Sequence, residues 1–124
     1  MTTAKFKVRG NEFDIKISGH AGFNPGNDIV CAGQSTLVYT LIQCMRAEHE
    51  GGAFVTYTDE IDEKDGYFHM RAEAKEGHAE YIDAMVTVIA SGFALLANKY
   101  TNYIRFKYTR DPEPIATVQS EAVN

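Results

Sequence analysis

The order of local patterns along this chain predicts an α+β fold, ββαββαβ, in which a mostly antiparallel sheet carries two helices on one face. Three observations lead there. Short runs alternate apolar with polar or charged residues, the period of a strand buried on one side. Two long segments repeat apolar residues at three- and four-residue spacing, the period of a helix packed on one side. Glycine-bearing turns separate neighbouring runs closely enough for hairpins, so consecutive strands pair antiparallel.

The first two strands follow from Phe6 and Val8 alternating with Lys5, Lys7 and Arg9, and from Phe13, Ile15 and Ile17 alternating with Asp14, Lys16 and Ser18. Gly10 and Asn11 between them are tight-hairpin residues. Residues 19–27 read as a loop, because three glycines, a proline and two asparagines favour turns and leave little to pack. Asp28 reads as the cap of a helix whose buried stripe is Val30, Gln34, Leu37, Leu41 and Met45, and Gly51-Gly52 ends it. Residues 53–58 and 67–72 are rich in β-branched and aromatic side chains and predict a second hairpin. Its tip is acidic, with Asp59, Glu60, Asp62, Glu63 and Asp65 ahead of Gly66. Ile82, Met85, Val86, Ile89, Phe93 and Leu96 give a second amphipathic helix, and residues 103–108 alternate as a last strand. From Asp111 the chain carries two prolines and loses its period, so residues 1–110 are expected to form a single domain and 111–124 a flexible tail.

Composition narrows the function classes. The chain is 44% hydrophobic and 23% charged, which is globular. Apolar runs such as 85–90 stop well short of the roughly 20 residues that span a bilayer. No apolar leader follows Met1, so the expectation is a cytoplasmic protein with no membrane partner. Twelve Lys and Arg against 17 Asp and Glu leave a formal charge of −5, so a nucleic-acid partner is not expected and a basic protein suits better. The uncovered sheet face, expected to carry charges together with Tyr and Phe, leaves a homodimer open. His49, His69 and His78 lack ligand spacing with Cys or acidic residues, so neither a metal nor another cofactor is expected.

The two cysteines need separate explanations. They lie 13 positions apart in one predicted helix, on the order of 20 Å at 1.5 Å per residue, well beyond the roughly 7 Å a disulfide allows. Cys44 shares the phase of Leu37 and Leu41 and reads as core. Cys31 falls in the first turn, near unpaired N–H groups and the positive end of the helix dipole. The thiolate is the attacking form of cysteine, and such surroundings favour it. The same N–H groups could hold a developing oxyanion, although the Asp28 cap competes for them. His20 stands 11 residues earlier at a strand end, within reach of a neighbouring helix start, as a base that takes the thiol proton and returns it to a leaving amine. Plainer readings stand beside these. A first-turn cysteine is commonly a small buried hydrophobe, and a loop histidine is commonly solvated. Asp28 reads first as a cap and second as a group orienting His20. The loop glycines are turn formers or a flap over bound peptide, and the acidic tip is a solvated turn or an attractor of basic substrate. A non-catalytic binding module therefore remains open beside the peptidase. A thiol redox sensor is disfavoured because Cys44 is too far away to resolve an oxidised Cys31.

Residues 19–35, GHAGFNPGNDIVCAGQS, resemble the signature of the ribosomal-processing cysteine proteases, the Prp family, in Gly19-His20-Ala21 and in Asp28-Ile29-Val30-Cys31-Ala32. The resemblance implies a small bacterial α/β homodimer. Its activity would be that of a Cys–His endopeptidase removing a short N-terminal extension, ending in aromatic residues, from a large-subunit ribosomal protein (the twenty-seventh). By position it makes Cys31 the nucleophile and His20 the general base and acid. Asp28 and Ser35 become supporting residues, with Ser35 one turn beyond Cys31 on the same helix face, and Gly19, Gly22 and Gly26 belong to the loop that gates substrate. Gln34 departs from the small or aliphatic residue usual there, and the loop has its own composition with Pro25, which bears on substrate preference. A phage-type relative processing a capsid or scaffold protein is the alternative within this resemblance.

Overall fold

Gly10, at φ 59°, turns β1 (Thr2–Arg9) directly into β2 (Glu12–Ser18), and the alternation in both strands places Ala4, Phe6, Val8, Phe13, Ile15 and Ile17 on one side. None of the six is more than 4% exposed. The computed structural model describes residues 1–23 and 28–111. After β2 come α1 (Ile29–Glu50), β3 (Phe54–Asp62), β4 (Tyr67–Ala74), α2 (Ala79–Lys99) and β5 (Ile104–Asp111). The sheet order is β3-β4-β2-β1-β5. Every pairing is antiparallel except β1 with β5, which the crossover through β4 and α2 makes parallel. This is the predicted α+β arrangement.

Both helices close over the same sheet face. α1 contributes Val30, Val38, Leu41, Ile42 and Met45, and α2 contributes Ile82, Val86, Ile89, Ala90 and Phe93. All but Val30, which packs with Ala21 and Ile104, meet Phe6, Ile15, Phe68 and Met70 in one core, where each large side chain contributes about 1.5–3 kcal/mol on burial. Cys44 packs half-buried against that core with its thiol free, as its helical phase predicts. By length and composition α2 could also cross a membrane; here its Ile82–Phe93 stripe lies on the sheet. The open face differs from the expectation that it carries Phe as well as Tyr. Phe6, Phe13, Phe54 and Phe68 are all buried on the helix side. Outside, Lys107, Lys5 and Lys16 stand in one register row beside His69, and Lys16 lies 5.7 Å over the Tyr67 ring.

β3 is longer than its sequence predicts, and the reason lies in α1. Tyr57, Asp59 and Ile61 continue the alternation toward the helices opposite Ala72, Met70 and Phe68. Asp59 is tolerated there because the Arg46 guanidinium grips its two oxygens at 2.8 and 2.9 Å and the Tyr57 hydroxyl donates at 2.6 Å. The acidic turn expected from Asp59 onward therefore shrinks to residues 63–66, and Asp59 is withdrawn from any role in attracting substrate. β5 likewise continues through Asp111, whose partner is Arg9. Residues 112–124, the rest of the expected tail, lie outside the described residues.

The Arg46 hydrogen bond holds the Asp59 carboxyl below its usual range, against the burial that would raise it. A lowered folded-state value stabilises above about pH 4 and is lost as pH falls through that lower value. Asp59→Asn should therefore reduce stability at neutral pH and flatten the acid limb of the unfolding free energy, as read by denaturant titrations across pH. Two helix glycines test the packing of α1 on α2. A Cβ on Gly33 would meet Leu96 at an ordinary 3.5 Å, whereas one on Gly92 would come within 2.6 Å of Leu37. Gly33→Ala should stabilise by up to about 1 kcal/mol through helix propensity. Gly92→Ala should gain less or destabilise, because Leu37 must move.

Candidate active site

Where β2 ends, the chain turns at Gly19 (φ 94°), whose Cβ, had it one, would lie 2.3 Å from the Met1 carbonyl oxygen. Only glycine fits there. The Gly19 N–H donates to the Gly66 carbonyl at 2.8 Å, and the Met1 ammonium donates to the His20 carbonyl at 2.6 Å. The backbone bearing His20 is thus held between the first strand and the β3–β4 turn. Its exposed imidazole leans on that turn, with Nε2 3.2 Å from the Lys64 carbonyl oxygen. Gly66, at φ 63°, makes room, since a Cβ there would come within 2.8–2.9 Å of ring atoms Cε1 and Nε2.

Across from it, Asp28 caps α1 as the sequence predicts. Its Oδ1 accepts the Cys31 N–H at 2.8 Å, and its Oδ2 accepts the Phe23 N–H at 2.9 Å. This fixes Cys31 in the first helical turn with its side chain half-buried. The expectation that first-turn N–H groups hold an oxyanion fails for Cys31 and Ala32. The Asp28 side chain takes the Cys31 N–H, and the Asp28 carbonyl takes that of Ala32 at 3.0 Å. Both donors are occupied in the free protein.

Between the start of α1 and the β3–β4 turn lies a cavity of about 240 Å³. Cys31, Gln34, Ser35, Val38 and Tyr39 line it from the helix, Ile17, Gly19 and His20 from the end of β2, and residues 61–63 and 66–68 from the hairpin. The Tyr39 hydroxyl donates to the Glu63 carboxylate, joining the helix wall to the hairpin wall. The structure thus brings Cys31, His20, Ser35 and Gly19 to one cavity. Asp28 stands behind Cys31 as its cap. Gly22 (φ 69°) has open space where a side chain would project, and Gly26 lies outside the described residues. Among the described residues no three His, Cys, Asp or Glu side chains converge as a metal ion would require. A thiol and an imidazole facing one cleft have the groups for nucleophilic attack with proton transfer.

Sequence reasoning did not reach several wall residues. Tyr39 follows Ser35 by four positions and Cys31 by eight, so a helical projection could have placed it on the site face. Gly66 and the Lys64 carbonyl left no such signal, because they meet His20 only when the two hairpins pair. Phe23, in the loop, packs edge-on against Tyr100 and Tyr103 at 5.5 and 5.1 Å and anchors the loop to the far end of α2. Gly66→Ala should push both the imidazole and the Gly19 carbonyl, 2.8 Å from such a Cβ, off the turn. The expected result is a folded protein with the displaced ring visible in the His20 resonances.

Residues 1–105 match the family described as cysteine protease Prp. The fold is shared with the essential ribosomal processing protease Prp from S. aureus. In complex with a covalently linked product peptide, that protein superposes with a TM-score of 0.69 at 23% identity, covering 88% of this chain and 100% of its own. With a substrate peptide it gives a TM-score of 0.64 at 20% identity over the same shares of the two chains. A Streptococcus mutans protein matches with a TM-score of 0.68 at 25% identity, covering 90% of this chain and 96% of its own. No curated protein matches the sequence.

Proposed function

This chain belongs to the cysteine protease Prp family, and from that premise we propose that it removes a short N-terminal extension from a basic large-subunit ribosomal protein (the twenty-seventh) with Cys31 as nucleophile and His20 as general base. The observation that carries this reading is the convergence of both side chains on one cleft between the start of α1 and the β3–β4 turn. His20 takes the Cys31 proton, and the thiolate attacks the scissile carbonyl. The imidazolium then protonates the departing amine, leaving a thioester at Cys31. Water, activated by the same imidazole, releases the acyl product. Ser35 lines the cleft one turn beyond Cys31 and offers a hydroxyl to the peptide.

Electrostatics support a basic substrate. Asp62 and Glu63 stand at the cleft wall, with exposed Asp65 in the same turn, so cationic sequence is drawn toward the hairpin side. That the S. aureus protease is a ribosomal processing enzyme solved with peptide supports the same class. The homodimer belongs to this reading too. The exposed ridge of Val88 and Leu95 on α2, 70% and 72% exposed, favours self-contact over the sheet face with its like-charged lysine row.

Cys31→Ala and His20→Ala should each reduce cleavage of an N-terminally extended large-subunit ribosomal protein by about a thousandfold or more, in keeping with the loss of a nucleophile or its base. Both variants should retain the parent's thermal unfolding, and product would be scored by mass spectrometry. Iodoacetamide should modify Cys31 before Cys44. Undiminished cleavage by either variant, or equal labelling of the two thiols, would remove the assignment.

A further inference from the structure

Gln34 is a polar side chain in an apolar position. It lies three residues after Cys31 on the buried stripe of α1, between Val30 and Val38, and is 6% exposed. Among the described residues its Oε1 is the buried side-chain oxygen that has no hydrogen-bond partner. Buried polar atoms in folded chains are nearly always paired, because an unpaired one forfeits its hydration without compensation. A methionine would fill similar space without that penalty, so the amide burdens the free protein. The same residue lines the cleft shared by His20 and Cys31.

We propose that Gln34 is a specificity-determining residue, whose Oε1 accepts a hydrogen bond from a neutral donor at the tip of a substrate side chain inserted beside the scissile bond. This rests on the peptidase reading for where the scissile bond lies. Depth makes the donor a side chain: His20 is exposed and Cys31 half-buried, so a peptide main chain reaching them runs above the buried Gln34. The surroundings make it neutral. The neighbouring cleft walls are Ile17, Val38 and Phe68, at most 8% exposed, and a cation there would lose its hydration for a single uncharged acceptor. Cationic groups are left to Asp62 and Glu63 on the hairpin wall. Helix geometry sets the position. Side chains three apart on a helix sit about 5–6 Å apart at Cβ, and an extended peptide advances about 3.3 Å per residue, so the donor belongs to a residue within about two of the cut. The occupant is a side chain with an apolar body and a hydroxyl or amide end, such as Tyr, Gln or Thr.

The test uses binding, so that it is separable from catalysis. Short peptides spanning the extension junction of a ribosomal protein precursor would be made in isosteric pairs, Tyr with Phe, Gln with Met and Thr with Val, at the two residues on each side of the cut. Calorimetry on the full Cys31→Ala chain should show the donor member binding about tenfold to a hundredfold tighter at one position, as expected when a single unpaired buried acceptor gains its hydrogen bond. Adding Gln34→Met should abolish that preference. Gln34→Met alone should raise the melting temperature of the free protein by a few degrees. Equal affinities within every pair, a preference that survives Gln34→Met, or a melting temperature that does not rise would each overturn the inference. Wild-type protein that leaves the extended precursor intact would instead overturn the peptidase reading, while the melting comparison would still bear on the unpartnered amide.

Discussion

The Asp28 carboxylate accepts one hydrogen bond from each side of the loop, from Phe23 and from Cys31, and the geometry of the cleft depends on that bridge. A helix start without a cap frays, at a cost of about 1 kcal/mol, and here the first turn carries the Cys31 thiol. The bond from Phe23 ties the segment that follows His20 to the same helix end. Cap and site support are therefore one interaction: the carboxylate that satisfies the helix also sets where thiol and imidazole segments stand. The same bond occupies the Cys31 N–H in the free protein.

The opposite wall is assembled by long-range contacts. The β3–β4 hairpin is joined to α1 by Arg46 gripping Asp59 and by Tyr39 bonding Glu63. Its turn receives the His20 ring against Gly66 and the Lys64 carbonyl. A single hairpin thus sets the width of the cleft, supports the His20 ring and supplies Asp62 and Glu63 as acidic groups. Burial of Phe68 holds it on the core side of the sheet, and the turn that precedes it is free to carry charge.

Charge is distributed rather than uniform. The net value of −5 hides a lysine row on the open sheet face and an acidic margin beside the cleft. Lys5 faces Lys16 and Lys107 across its two neighbouring strands, an arrangement that opposes pairing slightly and that burial on the other face outweighs. What a basic peptide meets is therefore set by the hairpin side, not by the average over the molecule.

Much of this was legible in the sequence, for physical reasons that differ by element. Period-two alternation in Lys5–Arg9 and Phe13–Ser18, the Asp28 cap and the apolar stripe from Val30 to Met45 are local consequences of burying one face, so they define strands, helix start and the depth of Cys31 without reference to the rest. The GHA and DIVCA strings likewise marked His20 and Cys31. Asp59 misled because a carboxylate on a buried face reads as loop until Arg46, 13 residues away, is known to meet it. Gly66 and Lys64 stayed hidden because their roles arise only when β4 pairs with β2 and the turn arrives beneath the imidazole. Sequence by itself determined the elements and the chemistry available, since both follow from neighbours along the chain. Only the tertiary structure decided which groups face one another, since strand order and helix packing bring together residues that no local period connects.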